Sequence, residues 1–163
     1  MALIHSTLMG AVAGMRSMTP LAAVAHAARS GRLPIGHGAP PLLSSPLVSA
    51  GTLALAAAEL AGDKMKSAPD RVVIAGMAAR IATGAIAGMA LAPRRQRGIA
   101  ALLGATAAVG AAYVSFDARR RAMERYGQTA TGVIEDALAL VSAALIARSA
   151  ADGDGSGAPA EMA

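Results

Sequence analysis

The chain has 163 residues, of which 55% are apolar, only 2% aromatic and 15% charged; it holds 44 alanines and 18 glycines and carries a formal net charge of +5. Such an apolar excess excludes intrinsic disorder, and it argues against an ordinary soluble core, which carries about 25% charged residues and is built from Leu, Ile, Val and aromatics. With no cysteine, disulfides, thiolate metal sites and cysteine nucleophiles are excluded together.

In chain order, five apolar runs are separated by polar or Pro/Gly-rich stretches. The first, Ala2 to Ala28, is interrupted once, by Arg16. Ser30 to Pro46 reads as a loop because Pro34, Gly36, Gly38, Pro40, Pro41 and Pro46 all oppose helix there. Leu47 to Gly62 forms the second run, uncharged until Glu59 and closed by Asp63 and Lys64. The third, Val72 to Ala92, contains Arg80 and is long enough for a bilayer core of about 30 Å at about 1.5 Å per residue. The fourth, Gly98 to Phe116, has no charge and is followed by a basic helical stretch to Tyr126. The fifth, Val133 to Ala147, has Glu135 and Asp136 in its first turn. The expected fold is therefore all-α: a polytopic membrane bundle of about five helices over residues 1–150, followed by a flexible Gly-rich acidic tail at 151–163. No secretory signal peptide is expected, since Met1 to Met15 has no basic stretch.

The arginines cluster at the ends of apolar runs, as in Arg94/Arg95/Arg97 and Arg119/Arg120/Arg121/Arg125. That is the pattern of membrane-flanking loops, and no aromatic interleaving accompanies it, so the expected partner is the lipid bilayer and not nucleic acid. Whether copies of the chain associate is left open. Gly10/Gly14 and Gly84/Gly88 have the GxxxG spacing that lets helix backbones approach closely in lipid, although a composition this rich in glycine also produces such pairs by chance. Gly10 to Met15 (GAVAGM) resembles Gly84 to Met89 (GAIAGM), which hints at an internal duplication.

Ionisable groups inside apolar runs are costly and ask for a partner or a function. Arg16 precedes Thr19-Pro20, where Thr19 suits an N-cap and Pro20 a first helical position. The first run then becomes two half-helices. Such breaks in transporters present helix ends to anions; the alternative is that Arg16 pairs with an acid and locks two helices. Glu59 and Asp63, four apart, share a helix face, and their repulsion favours proton or cation exchange. Alternatively, Asp63 only marks the membrane interface. Glu135 and Asp136 are explained either by the dipole at a helix start or by neutralising Arg16 or Arg80. Two arginines against four acids leave a surplus of acid that must be hydrated, protonated or bound to a cation. His5, His26 and His37 lack ligand spacing, so neither a metal nor another cofactor is expected. No nucleophile elbow, phosphate loop or metalloprotease helix occurs, so the chain does not read as an enzyme.

These residues carry a resemblance to a bacterial membrane-protein family of unknown function, DUF4126, over Leu3 to Ala147. It rests on Gly14-Met15-Arg16 followed by Pro20, on Glu59 and Asp63 at the end of an apolar helix, and on Thr129 to Gly132 leading to Glu135-Asp136. The family's Tyr-Ile-Pro after the second acid is replaced here by Lys64-Met65-Lys66. The resemblance implies a multi-pass helical protein of the bacterial inner membrane and supplies no activity. From the residues, the leading expectation is passage of an ion, proton or small solute at an intramembrane site of Arg16, Glu59, Asp63, Arg80, Glu135 and Asp136. The alternative is a non-transporting scaffold in which these charges are structural salt bridges.

Overall fold

Alanine is the strongest helix former, and the described residues outside the Pro/Gly stretches follow that preference almost throughout. The computed structural model describes residues 1–62 and 74–155. It contains six α-helices: α1 (Ala2–Met15), α2 (Met18–Arg29), α3 (Pro46–Gly62), α4 (Ile74–Ala90), α5 (Arg97–Tyr126) and α6 (Gln128–Gly155). Short 3-10 turns at Pro41–Ser44 and Arg94–Gln96 precede α3 and α5.

The first run is two helices, as a break near Arg16 to Pro20 implies, so the five runs give six helices among the described residues. Three boundaries differ from the expected runs. The basic stretch after Phe116 continues α5 without a break to Tyr126. Gly127 then separates α5 from α6: at φ 79° it adopts a conformation that other residues rarely take, and its N–H caps the Met123 carbonyl at 3.0 Å. Because the break falls at Gly127, α6 starts at Gln128, and Glu135 and Asp136 lie two turns inside it. The helix-start explanation for those acids is thereby overturned. At the other end α6 runs to Gly155, so the first five residues of the expected tail are helical, helped by Ala150, which is buried against the core. The rest of that tail lies outside the described residues.

Helices α1, α4 and α5 form the closely packed unit, with α2 and α6 against it and α3 against α2. Glycine makes this possible. A Cβ on Gly10 or Gly104 would overlap the backbone of Gly104 or Gly84 respectively; one on Gly84 would sit 2.8 Å from the Gly104 carbonyl oxygen, and one on Gly88 2.5 Å from that of Ala100. Gly14 faces the Ala108 carbonyl in the same way. Both similar segments, Gly10 to Met15 and Gly84 to Met89, thus lie against one stripe of small buried residues on α5: Ala100, Gly104, Ala108 and Ala112. Neither the stripe nor Gly104 stands out in the sequence as a GxxxG pair, although its four-residue period is a readable signal. Ser6, fully buried on α1, adds a hydrogen bond across the interface to the Gly88 carbonyl at 2.8 Å.

The loop of residues 30–45 is held to the α4–α5 turn. Gly38 N–H donates to the Ala92 carbonyl at 2.7 Å and Arg94 N–H to that of Gly36 at 2.9 Å.

Around an apolar core the two long helices keep large apolar side chains on the outside, and a few charges are buried. Leu102 and Val114 on α5 are each 70% exposed and Leu145 on α6 is 59% exposed, whereas Arg16 is 1% exposed. By length and composition, Arg94–Tyr126 and Gln128–Gly153 suffice to cross a membrane; the other apolar helices, α1, α3 and α4, are 14 to 17 residues long.

Candidate functional site

The break between α1 and α2 organises the charged residues. At Arg16 the backbone turns extended (φ −140°, ψ 111°), while its N–H still closes α1 on the Val12 carbonyl at 2.8 Å. Met18 opens α2, so Ser17 occupies the N-cap. This corrects the expected cap: Thr19 and Pro20 are the second and third residues of α2, not its cap and first residue. The reason lies on another helix. Ser17 has no side-chain capping bond within its own helix; instead the Glu59 carboxylate, reaching over from α3, supplies the acceptors. Glu59 Oε1 accepts from Ser17 N–H and Ser17 Oγ–H, and Oε2 accepts from Met18 N–H, each at 2.9 Å. Pro20 has no N–H to satisfy in that first turn.

The other side of the break is served by a cation. Arg80, buried on α4, donates its Nε–H to the Gly14 carbonyl at 3.0 Å, satisfying an end group of α1 that has no helical partner. An anion therefore stands at the positive end of α2 and a cation at the negative end of α1, the favourable placement for both dipoles.

Arg16 itself points to α6. Its Nη2 forms a salt bridge with Asp136 Oδ1 and lies 3.9 Å from Glu135 Oε2. Glu135 Oε2 also accepts from Arg119 Nη1, on α5, at 3.0 Å. Glu135 thus links two guanidiniums, and all three of these partners of Arg16 and Glu135 are about nine-tenths buried.

Among the described residues the structure brings together Arg16, Glu59, Arg80, Glu135 and Asp136; Asp63 lies outside them. It adds Arg119, which reads in the sequence as one of a basic loop cluster. Its signal was positional: once α5 continues through the basic stretch, Arg119 lies about two turns before the α5–α6 break and Glu135 about two turns after it, at matching heights on neighbouring helices. Among the described residues Arg16 and Arg119 meet the carboxylates of Glu135 and Asp136, while Glu59 serves the start of α2 and Arg80 the end of α1; Asp63, the fourth acid of the expected surplus, lies outside them. Chemically, such a cluster can hold helices in register and stiffen a helix break. Its carboxylates are engaged as acceptors, and no group of three or more His, Asp or Glu side chains suited to a metal ion occurs among the described residues.

Two cavities flank the break. One of about 370 Å³ lies between α1, α5 and α6 and reaches Arg119 and Glu135; its walls are otherwise mostly apolar. The second, about 610 Å³, lies between α2, α3 and α6 and extends from Thr19 to Arg32 and Arg148. No protein-family model, curated protein or solved structure matches this chain.

Proposed function

We propose that this chain is a small multi-pass protein of the inner membrane, akin to the DUF4126 proteins it resembles, in which the buried charges are a structural clamp and the protein acts as a non-transporting scaffold. The observation that carries this reading is the pairing at the break: Glu59 on the α2 end, Arg80 on the α1 end, and Arg16 and Arg119 on Asp136 and Glu135. A solute path needs an exchangeable group facing an aqueous space. Here the described carboxylates of the site, Glu59, Glu135 and Asp136, serve protein donors instead.

Membrane embedding is supported by the apolar exterior of α5 and α6. An exterior of Leu102, Val114 and Leu145 around a buried Arg16 suits lipid, where apolar side chains face outward and charges turn into the bundle. Small residues at the α1–α4–α5 contacts suit the same setting, where packing rather than the hydrophobic effect joins helices.

The test combines three measurements. The protein stays in the membrane pellet after alkaline carbonate extraction. Arg16→Ala and Glu135→Ala each lower the folded yield, and the charge-swapped pair Arg16→Asp with Asp136→Arg recovers part of it. Proteoliposomes show no proton or cation flux that depends on Glu59. A flux abolished by Glu59→Gln in a protein that remains folded overturns the scaffold in favour of transport.

A further inference from the structure

The cavity between α2, α3 and α6 has three chemically distinct zones. Its rim carries His26, Arg32, Arg148 and Asp152, all exposed. Among the described residues neither arginine takes a salt bridge, so two guanidiniums outweigh one carboxylate there. Its wall is alanine from α2 and α6, with Leu53 and Leu140 at the open side, 65% and 46% exposed. At its floor lies Thr19, 3% exposed, whose hydroxyl oxygen is buried without a hydrogen-bond partner.

The helix break explains why that hydroxyl is left over. Thr7, Thr52, Thr83, Thr106 and Thr131 each donate to the carbonyl four residues earlier, at 2.8 to 2.9 Å. For Thr19 that carbonyl belongs to Met15, on the far side of the extended Arg16. The cap position that would also occupy it is Ser17, served by Glu59. A buried hydroxyl with no partner costs free energy; the Thr19 oxygen is sealed from the open cavity, and a turn of its side chain to the second threonine rotamer is what offers it to an acceptor there.

An occupant must therefore offer an anion at the rim, a hydrogen-bond acceptor at the floor and apolar bulk. The volume lies within the range of small-ligand sites, which are mostly apolar with a few placed polar groups. From Thr19 to His26 along α2 is about 10 Å at about 1.5 Å per residue, and the arginine side chains lining the cavity shorten the span between their guanidiniums and the floor. We propose that this cavity binds an anionic glycerophospholipid from the surrounding bilayer. Its phosphate lies on Arg32 and Arg148, an ester carbonyl accepts from Thr19, and its chains leave past Leu53 and Leu140. Basic pockets between membrane helices bind lipid headgroups in this manner. The inference rests on the membrane reading above but not on the choice between scaffold and transporter.

The experiment uses full-length protein purified from the membrane fraction in detergent and titrated with dioleoyl phosphatidylglycerol, with dioleoyl phosphatidylcholine and inorganic phosphate as controls, read by native mass spectrometry and thermal shift. Phosphatidylglycerol binds and raises the melting temperature; the zwitterionic lipid with the same chains binds at least tenfold more weakly, and inorganic phosphate gives no shift. Arg32→Gln with Arg148→Gln removes the preference, and Thr19→Val weakens phosphatidylglycerol binding several-fold. Arg94→Gln with Arg95→Gln, at the α4–α5 turn, leaves it unchanged. The two rim arginines are exposed, so their loss does not endanger folding. Equal binding of the two lipids, an equal shift with inorganic phosphate, or a preference that survives the Arg32/Arg148 double variant overturns the site while leaving the membrane reading intact. A protein released by carbonate extraction overturns the membrane reading itself.

Discussion

Arg16, in the extended link between two short helices, forms its salt bridge with Asp136 of α6 where the first side chain is 1% and the second 10% exposed. A charge buried this deeply is tolerated because it is paired, and removing either member strands the other. Arg16→Ala or Asp136→Ala should therefore destabilise the protein by about 3–5 kcal/mol. Thermal unfolding in detergent checks this. Unchanged melting for both single variants would show that the pair contributes nothing.

Glu59 stabilises α2 from outside that helix. Glu59→Gln keeps one carbonyl acceptor but loses the charge at the helix N-terminus, and should cost about 1–2 kcal/mol. Glu59→Ala should cost more, because the N–H groups of Ser17 and Met18 both lose their acceptor. Far-ultraviolet circular dichroism with thermal melting ranks the two variants, and the reverse order would contradict the capping role.

Helix α5 offers an internal comparison among glycines. A Cβ at Gly104 collides with the backbone of Gly84, whereas one at Gly98 or Gly110 meets nothing within 4 Å. Gly104→Ala should separate α4 from α5 and destabilise by about 1–3 kcal/mol, the usual range for overpacking. Gly110→Ala, in mid-helix and facing open space, should stabilise by about 0.5–1 kcal/mol through helix propensity. Melting temperatures of the two variants moving in the same direction would refute the packing assignment.

His37 gives the loop a pH dependence. Burial, and secondly the positive charge of Arg94, lower its pKa below the ordinary 6.5. Its neutral Nδ1 accepts from Ala39 N–H at 3.3 Å. Because the folded value lies below the unfolded one, the unfolded loop binds more protons between the two. The stabilisation is thus present above 6.5 and is lost as pH falls from 6.5 through the lowered value. The hydrogen-exchange protection factor of the Ala39 amide should decrease over that window, and His37→Gln should remove the dependence.

The helices and the residues that break their apolar character were legible in the sequence, as was a break after Arg16. What the sequence did not show was the cap. Thr19-Pro20 has the local signature of a helix start, yet α2 begins at Met18, because the acceptor for its first N–H groups comes from a residue 42 positions away. Arg119 was hidden for a related reason. A cluster of four arginines after an uncharged run reads as a flanking stretch outside the site, and only the unbroken continuation of α5 to Tyr126 brings one of them to Glu135.

The sequence by itself determined an alanine-rich helical chain with small residues at helix-contact spacing and a few charges in apolar surroundings, because composition and four-residue periodicity act locally. Only the tertiary structure decided which charge meets which, that Gly104 is the common seat of α1 and α4, and that Thr19 lies at the floor of a cavity. Those outcomes depend on contacts between helices far apart in the chain, such as Arg80 with Gly14 across 66 residues. Local residue preferences carry no information about which of several equally suitable partners a buried charge will find.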